Sequence, residues 1–272
     1  MKIVFFVINY KADNHIFKLI ESVLNANKDE NFDITIHVID NSIKSKNEED
    51  EFRRSLQVNG VSLHSSNENL GYFGCIPIAQ RLMKNETFDC VIYCNPDLHL
   101  DVNFLKELKV SMHFKGIIAP SIISMTEGFD QNPKYLSKLS RSKMIRLKLI
   151  YSNLLTYVLF FSLARVKELL FFIKKRSTQS NDNLNRIIYA PHGAMFIFTE
   201  ESFFKCLEPY PCFLFGEEIY IAEEAEKAGV KVFYTPNVKV YDSRHASISS
   251  LGNNFRRKLY YQSILFLLKN YY

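Results

Sequence analysis

Glycine and proline are scarce in this chain, at nine and eight of 272 residues. Collagen-like and long disordered tracts need far more of both, so the composition excludes them. The chain is 47% hydrophobic and 23% charged, which is ordinary for a globular protein. Its length suits one large α/β domain or two small ones, with a substantial core.

No pair of cysteines has the spacing of a metal-binding or redox motif. The five cysteines, at positions 75, 90, 94, 206 and 212, form no CxxC pair and no even disulfide framework. We therefore expect reduced, buried thiols in a cytosolic chain, and we expect no zinc site.

The sequence also lacks a long uninterrupted apolar run. Residues 3–8 form a six-residue run that is too short for a secretory signal. The longest apolar stretch, 149–164, contains four polar residues. As a helix it would extend about 24 Å, against a hydrocarbon core of about 30 Å. We therefore expect neither a secretory signal nor a helix that crosses a membrane.

Positive charge is concentrated in one segment. Residues 134–176 contain eleven Lys or Arg and one acid, a net +10, whereas the whole chain carries +5 and the remainder therefore −5. Because the cations alternate with Leu, Ile and Phe, we expect a helical insertion that lies in the headgroup region of an anionic membrane, and no nucleic-acid partner. A helical hairpin packed on the domain is the alternative.

Residues 255–272 show a similar pattern. Arg256-Arg257-Lys258 precedes an apolar segment that ends in a tyrosine pair, and tyrosine suits a membrane interface. We predict a C-terminal interfacial helix here. An ordinary amphipathic helix would have a similar sequence.

Short apolar runs alternate with helical patterns over the first 120 residues, which is typical of a wound α/β sheet. We predict no strand at 124–186, after which the chain returns to the same sheet. The predicted strands are 2–8, 34–40, 61–65, 90–95, 116–119, 194–199 and 230–234. The predicted helices are 15–27, 47–56, 74–85, 102–114, 200–207 and 217–228.

Ligands of such sheets bind at the carboxyl ends of the strands, so we expect the site just after Ile8, Ile39, Ser65 and Cys94. Asn95-Pro96-Asp97 follows one of these strands, and its proline presents the Asp97 carboxylate at the edge, where a hard cation can bind. Each such motif by itself is also ordinary turn or helix-cap chemistry.

Four further motifs carry candidate chemistry. In Asp40-Asn41-Ser42 the acid can accept from a ribose or base, and the loop 67–74 has two glycines that suit a phosphate. The run 213–218 delivers Glu217 and Glu218 to a helix start. Their side chains point about 100° apart, so only one can face a substrate as a general base. His245 is a candidate partner of Asp97 in cation binding, with Arg244 on phosphate.

In this order and spacing the motifs resemble the family 2 glycosyltransferases of the GT-A fold, particularly the rhamnosyltransferase-like branch. The resemblance implies a single α/β domain over 1–272, with a GT-A-type, Rossmann-like, mostly parallel wound sheet, the helical insertion at about 134–176 and the C-terminal helix. It rests on Phe6-Val7-Ile8-Asn9-Tyr10, Val38-Ile39-Asp40-Asn41-Ser42, Asn69-Leu70-Gly71-Tyr72, Asn95-Pro96-Asp97, His192-Gly193-Ala194-Met195-Phe196, residues 213–218 and the stretch from Ala228 to His245.

The resemblance also implies site roles. Asp97 matches the last acid of the family's DxD metal motif, with Asn95 in place of the first, and Glu218 matches the catalytic base. The metal, Mg²⁺ or Mn²⁺, would be held by Asp97 and His245. Donor-binding roles fall on Asn9, Tyr10, Asp40, Asn69, Gly71 and Asn95. Acceptor-side roles fall on Gly193, Ala194 and Glu217.

The implied function is inverting transfer of a sugar from a nucleoside-diphosphate sugar, dTDP- or UDP-linked, to a saccharide acceptor. We expect a lipid-linked acceptor and a place in bacterial surface polysaccharide assembly, as O-antigen or capsule. The enzyme would be cytoplasmic and peripheral, on the inner face of the plasma membrane.

Three positions depart from the family pattern. Tyr220 and Glu224 stand where an acid and an arginine are common, and Cys75-Ile76-Pro77 replaces small or amide residues. One alternative is therefore a non-catalytic sugar-nucleotide-binding or membrane scaffold protein. The other is a sugar nucleotidyltransferase, which normally carries a Gly-rich, basic N-terminal loop that residues 9–12 do not supply.

Overall fold

The computed structural model describes residues 1–172, 184–243 and 252–272, with side chains described up to residue 163 in the first range. The strands are β1 (Lys2–Asn9), β2 (Asp33–Asp40), β3 (Ser62–Ser65), β4 (Cys90–Cys94), β5 (Leu98–Leu100), β6 (Gly116–Ser124), β7 (Arg186–Ile188), β8 (Met195–Phe198) and β9 (Lys231–Asp242). The helices are α1 (Asp13–Ala26), α2 (Lys46–Gln57), α3 (Ile76–Leu82), α4 (Phe104–Ser111), α5 (Arg141–Ser152), α6 (Leu154–Phe172), α7 (Glu201–Cys206), α8 (Glu217–Lys227) and α9 (Asn253–Tyr271).

The strands form one mixed sheet in the order β3-β2-β1-β4-β8-β6-β9-β5, with β7 also beside β9. Six strands run in one direction, and β5, β7 and β8 run in the other. The predicted α/β class with a mostly parallel sheet is confirmed. Because β8 is antiparallel to β4, its first residue, Met195, lies beside Cys94 at the carboxyl end of β4.

Alternate side chains of the strands fill a core on each face of the sheet. Phe6, Tyr93 and Phe196 belong to one buried cluster. Their neighbours Ile92 and Ile197 belong to the other. Strands that are buried on both faces have continuous apolar sequences, which is why the sequence pattern located β1, β4 and β8.

Four strands differ from the sequence prediction, because β6 also continues to Ser124, beyond the predicted end at 119. β5 and β7 have three residues each, too few to show a pattern. The apolar runs at 230–234 and 238–241 belong to one strand, β9, whose pairing with β6 shifts register between Pro120 and Ser121. Pro236 lies in that irregular stretch, since proline has no N–H to donate to a ladder.

The prediction of a helical insertion at 134–176 is wrong for 134–140, which contain no helix and where Tyr135 forms a β-bridge with Ala190; α5 and α6 follow, and residues 173–176 lie outside the described residues. In the described part of the chain, no single helix is both long and apolar enough to cross a membrane. Arg141–Ser152 and Leu154–Leu163 meet that test only as a pair, with a bend of 113°. Lys134 and Lys138, which precede α5, pair with acids of α8 at 3.6 and 2.7 Å.

The C-terminal helix α9 packs on the rest of the fold through Leu259, Ser263, Ile264 and Leu267, which are buried. At its amino end, the Arg257 guanidinium donates to the carbonyl oxygens of Tyr151 and Ser152 at 2.6 and 3.0 Å. A membrane role for its exposed face stays a prediction.

Cys75, Cys90 and Cys94 are buried, as predicted, in or beside the sheet core. For Cys206 the prediction is wrong, because this residue ends the short surface helix α7 and is exposed. Cys212 is half-buried.

Candidate active site

Asn9 and Asp40 end neighbouring parallel strands and are joined by a hydrogen bond. The Asn9 amide donates to Asp40 at 2.9 Å and to Asp13 at 2.7 Å. Asp40 is 1% exposed and also accepts from the backbone N–H of Ser42 and from Lys44. The Lys44 ammonium group bridges Asp40 and Asp13, so the buried carboxylate of Asp40 has its countercharge.

An open hollow of about 410 Å³ lies beside this cluster. The groups that line it include Lys11, Asp13, Ser42 and Lys44. The contact between Asp40 and the nucleoside stays a prediction. Lys44 and Asp13 are charged residues that line the hollow beside Asp40. The sequence analysis missed both, although each lies four residues after Asp40 or Asn9.

Asn41 ties the end of β2 to the glycine-containing loop. Its amide donates to the Gly71 carbonyl at 3.0 Å, and its amide oxygen accepts from Ser66 and Cys75 at 3.1 Å each. Asn69 accepts from the Gly71 N–H at 3.1 Å. Cys75, a departure from the family pattern, therefore has a structural contact here.

Gly71 brings this loop against the segment that precedes α8. Its φ is +76°, and a Cβ added to it would lie 2.2 Å from the carbonyl oxygen of Phe213. A side chain at this position would therefore be both strained and obstructed. The loop 67–74 and the run 213–218, which are about 140 residues apart in sequence, thus meet at Gly71.

Asn95 and Ala194 join the end of β4 to the start of β8. The Asn95 N–H donates to the Ala194 carbonyl at 2.9 Å. Two residues later, Asp97 is half-buried, and its carbonyl oxygen accepts from the N–H and the hydroxyl of Ser243 at 3.2 and 2.8 Å. His245 lies outside the described residues, so its predicted metal role stays a prediction.

Glu217 and Glu218 begin α8 after Gly216, whose φ is +86°. Glu217 is buried, whereas the Glu218 side chain is 17% exposed. This confirms that the two adjacent acids face different surroundings. Burial, and then the nearby Glu218 charge, raise the pKa of Glu217 to about 8.

Gly193 and Lys134 flank Glu218. A Cβ added to Gly193 would lie 3.4 Å from the Glu218 carboxylate, so that carboxylate lies against the turn that leads into β8. The Lys134 ammonium lies 3.6 Å from Glu218. The turn itself is held by Asn132, which accepts from the His192 N–H at 2.6 Å.

The charges of Glu217 and Asp97 both affect the ionisation of Tyr72. Burial raises its pKa well above the ordinary value, and the charges that add to this include Glu217 and Asp97. Both carboxylates therefore lie close enough to act on one tyrosine, at the edge where the carboxyl end of β4 meets the amino end of β8. Gly193 places Glu218 at the same edge.

Three solved glycosyltransferase structures share this architecture. GalNAc-T7 with UDP, GalNAc and Mn²⁺ matches 91% of this chain and 44% of its own, with a TM-score of 0.56 and 14% identity. Staphylococcus aureus TarS matches 89% of this chain and 37% of its own, with 0.52 and 12%. Mannosyltransferase PcManGT from Pyrobaculum calidifontis, with GDP-Man and Mn²⁺, matches 99% and 70%, with 0.52 and 13%.

The chain has a GT-A fold. At these identities the likeness establishes the fold alone, and the chain spans less than half the length of the first two proteins. No protein-family model matches the sequence. No curated protein matches it either.

The carboxyl edge of the sheet suits a metal ion that binds together with a phosphate-containing substrate. Among the described residues, no three His, Cys, Asp or Glu side chains are grouped so that they could hold an ion. A single carboxylate at the site, such as Asp97, together with substrate phosphates is how Mg²⁺ is usually bound. The residues present therefore suit a cation brought by a diphosphate.

The two departures in α8 have contacts away from this edge of the GT-A fold. The Tyr220 hydroxyl donates to the Glu208 carbonyl at 2.7 Å, and its ring stacks on Tyr210. Glu224 accepts from Lys227 at 2.9 Å and from Tyr271 of α9 at 2.7 Å. Both residues serve the packing around α8 and α9.

Lys134 is a site residue that sequence reasoning missed. It was counted with the basic segment and assigned to a membrane, because its neighbours in sequence are cations. Its place beside Glu218 depends on the pairing of Tyr135 with Ala190, a bridge between segments 55 residues apart that no local pattern indicates.

Proposed function

We propose that this chain is a metal-dependent, inverting glycosyltransferase that transfers a sugar from a nucleoside-diphosphate sugar to a saccharide acceptor. The observation that supports this best is that Asn95, two residues before Asp97, is hydrogen-bonded to Ala194, and that the neighbouring Gly193 lies against Glu218. The GT-A fold supports it in general, and the resemblance to the rhamnosyltransferase-like branch of family 2 supports the donor class, dTDP- or UDP-linked.

The donor would lie along the carboxyl edge, with its nucleoside towards Asn9, Tyr10 and Asp40. Its diphosphate would lie at the loop that holds Asn69 and Gly71, next to Asn95. A divalent cation held by Asp97 would offset the charge that grows on the leaving diphosphate. Structures of two neighbours contain UDP or GDP-Man together with Mn²⁺, which supports Mn²⁺ as the first ion to try.

Glu218 would remove the proton from the acceptor hydroxyl as its oxygen attacks the anomeric carbon from the face opposite the diphosphate. The C–O bond to the diphosphate breaks as the new glycosidic bond forms, so the configuration inverts. Glu217, whose raised pKa keeps it mostly protonated near pH 7, can donate a hydrogen bond beside it. When one of two adjacent acids acts as the base and the other stays protonated, two like charges are not held side by side.

The acceptor would reach Glu218 along the turn formed by Gly193 and Ala194. We propose that it is a lipid-linked saccharide of bacterial surface polysaccharide assembly, O-antigen or capsule. The enzyme would then act at the cytoplasmic face of the plasma membrane, where an anionic surface meets its basic insertion.

A thermal-shift screen of UDP-, dTDP-, GDP- and CDP-sugars with and without Mn²⁺ tests the donor half. We expect one sugar nucleotide to raise the melting temperature only with Mn²⁺, because ligands that bind the folded state stabilise it. Asp97→Asn should lose this shift, and Glu218→Gln should keep it. Donor binding without release of nucleoside diphosphate under any condition would instead support a non-catalytic binding protein.

A further inference from the structure

The junction of α5 and α6 exposes an extended apolar surface. We call residues 141–163 the elbow. Between residues 154 and 163, every aliphatic and phenylalanine side chain is exposed, by 38% to 67%, and Tyr157 is the buried aromatic residue of this segment. Soluble proteins rarely expose contiguous apolar surface of this extent, so such a patch indicates an interaction site.

The exposed side chains surround the helix and do not form one stripe. Leu154, Leu155, Val158 and Leu159 span about 140° around the helix axis, and Phe160, Phe161 and Leu163 extend the exposed surface to the other side. A protein partner in a groove would cover one face of such a helix and leave the others in water. A hydrocarbon phase covers all of them.

Several backbone groups at the break between α5 and α6 are paired within the protein. The Asn153 side chain accepts from the Leu155 N–H at 2.7 Å, and the Thr156 hydroxyl lies 2.9 Å from the Ile150 carbonyl. Arg257 donates to the carbonyls of Tyr151 and Ser152. Unpaired backbone groups cost several kcal/mol in hydrocarbon, so this pairing makes the break compatible with immersion.

Positive charge flanks the apolar surface. α5 contains Arg141, Lys143, Arg146 and Lys148 and no acid. Arg257 brings the basic amino end of α9 to the same place, with Lys258 exposed next to it. Cations beside an inserted apolar segment attract anionic headgroups, at about fivefold in affinity for each basic residue near the surface.

We propose that the elbow docks on an anionic lipid bilayer, with Leu154–Leu163 inserted into one leaflet and the cations of α5 among the headgroups. The apolar run of α6 ends at Ala164, and the helix continues to Phe172 through Arg165, Lys167 and Glu168. Because charged residues are costly in hydrocarbon, the run fits along the boundary between headgroups and acyl chains of one leaflet, where apolar helices lie about 5–10 Å deep. The 113° bend lets α5 and α6 both lie near that surface while they run in different directions.

The elbow lies one helix away from the candidate acids. Arg257 holds α9 to the elbow, and three residues later Tyr260 stacks on Phe215 with ring centres 3.8 Å apart. Phe215 precedes Gly216, Glu217 and Glu218. Docking would therefore place the acids near the bilayer surface, and this part of the proposal rests on the proposed transfer to a lipid-linked acceptor.

Flotation with vesicles tests the docking on the full chain, without donor or acceptor. One set would contain phosphatidylcholine alone and the other about 30 mol% phosphatidylglycerol. We expect binding to the anionic set. Lys143→Gln with Arg146→Gln should weaken it roughly 30-fold, whereas the matched pair Lys18→Gln with Lys84→Gln should not.

A second variant tests the apolar half. Leu155→Gln, Leu159→Gln and Leu163→Gln together should abolish flotation, because they remove three of the most exposed apolar side chains. Val58→Gln, Val102→Gln and Val110→Gln are the control, since these valines are exposed elsewhere. Far-UV circular dichroism of each variant checks that it folds.

Three results would overturn the proposal. Equal binding to neutral vesicles would contradict the role of the cations, and unchanged binding of the leucine variant would contradict insertion. A stable dimer that becomes monomeric with the leucine substitutions, and that does not float, would show that a second copy covers the elbow. Because flotation needs no turnover, a failed transfer assay with intact flotation would refute the proposed function alone.

Discussion

At the scale of single residues, Glu217 and Glu218 show how position on a helix divides two identical side chains. Glu217 is buried in the fold, and Glu218 lies against Gly193 and Lys134. The difference follows from the angle between successive helical residues, which the sequence analysis used. Which of the two is buried depends on the packing of α9 on Gly216, and no local pattern shows that.

Glu218→Gln should reduce transfer by at least a hundredfold while it leaves donor affinity within about twofold, because general-base catalysis typically contributes 10²–10⁴-fold. Initial rates of transfer and donor titration by calorimetry measure the two quantities. Glu51→Gln, at an exposed position of α2, is the control. A tenfold loss of rate, or a parallel loss of donor affinity, would refute the assignment of Glu218 as base.

Lys134→Ala should lower kcat about tenfold with KM for the donor unchanged, because the Glu218 carboxylate loses the ion pair that fixes its direction. Lys134→Arg should recover most of the rate, since it restores a cation within reach. Steady-state kinetics of the three proteins give the comparison. No rescue by arginine, with equal melting temperatures, would show that Lys134 does not position Glu218.

The raised pKa of Glu217 predicts that the stability of the folded protein depends on pH. Its pKa is raised from 4.5 to about 8, so the folded state binds more protons than the unfolded state between these values. The stability it contributes is present below about pH 4.5 and is lost as the pH rises through about 8. The ionisable groups near it include Glu218, Lys134, Cys212 and the tyrosines at 72, 93, 210 and 260.

Glu217→Gln should therefore melt above the wild type at pH 8 by several degrees, and the gap should shrink towards pH 5. The amide stays neutral, whereas the buried carboxyl must ionise. Thermal unfolding between pH 5 and 8.5 measures this, with Glu51→Gln for comparison. A gap that is constant with pH would mean that Glu217 ionises equally well in the unfolded and the folded chain.

At the scale of elements, the site depends on two close contacts at glycine. Gly71 lets the donor loop reach Phe213, and Gly216 lets α8 start directly against α9. At Gly216 an added Cβ would lie 2.2 Å from the Ser263 hydroxyl oxygen and 2.8 Å from that of Tyr210, at φ +86°. The C-terminal helix is therefore a wall of the candidate site.

Gly216→Ala should destabilise the protein by more than about 2 kcal/mol, because strain in the backbone and overlap with α9 act together. Gly60→Ala is the matched control, since φ is +70° there but nothing lies within 4 Å of the added Cβ. We expect it to cost about 1 kcal/mol. Urea unfolding of both variants tests this, and equal losses would contradict a tight contact between α8 and α9.

The sequence predicted the regular elements better than the contacts between them. Continuous apolar runs located β1, β4 and β8, because both faces of these strands are buried. β5 and β7 have three residues each and are defined by pairing with β9, which is set by tertiary structure. For the same reason Lys134 and Lys138 were assigned to a membrane, although they pair with α8.

At the scale of the whole molecule, the candidate site is built from segments distributed over most of the chain. Asn9 and Asp40 come from the first two strands, Asp97 follows the fourth, and Glu218 lies in the first turn of the eighth helix. The resemblance in motif order predicted these four positions as site residues. It did not supply Lys44 and Asp13, whose importance depends on the side-chain contacts at the ends of β1 and β2.

Arg257 has a consequence for the order of events during synthesis. It clamps the carbonyls at the end of α5, yet it follows Ser152 by 105 residues. At about 5–20 residues per second, a ribosome needs roughly 5–20 s to add them. For that interval the carbonyls of Tyr151 and Ser152 lack this partner, so we expect the junction of α5 and α6 to take its final geometry only after α9 has been synthesised.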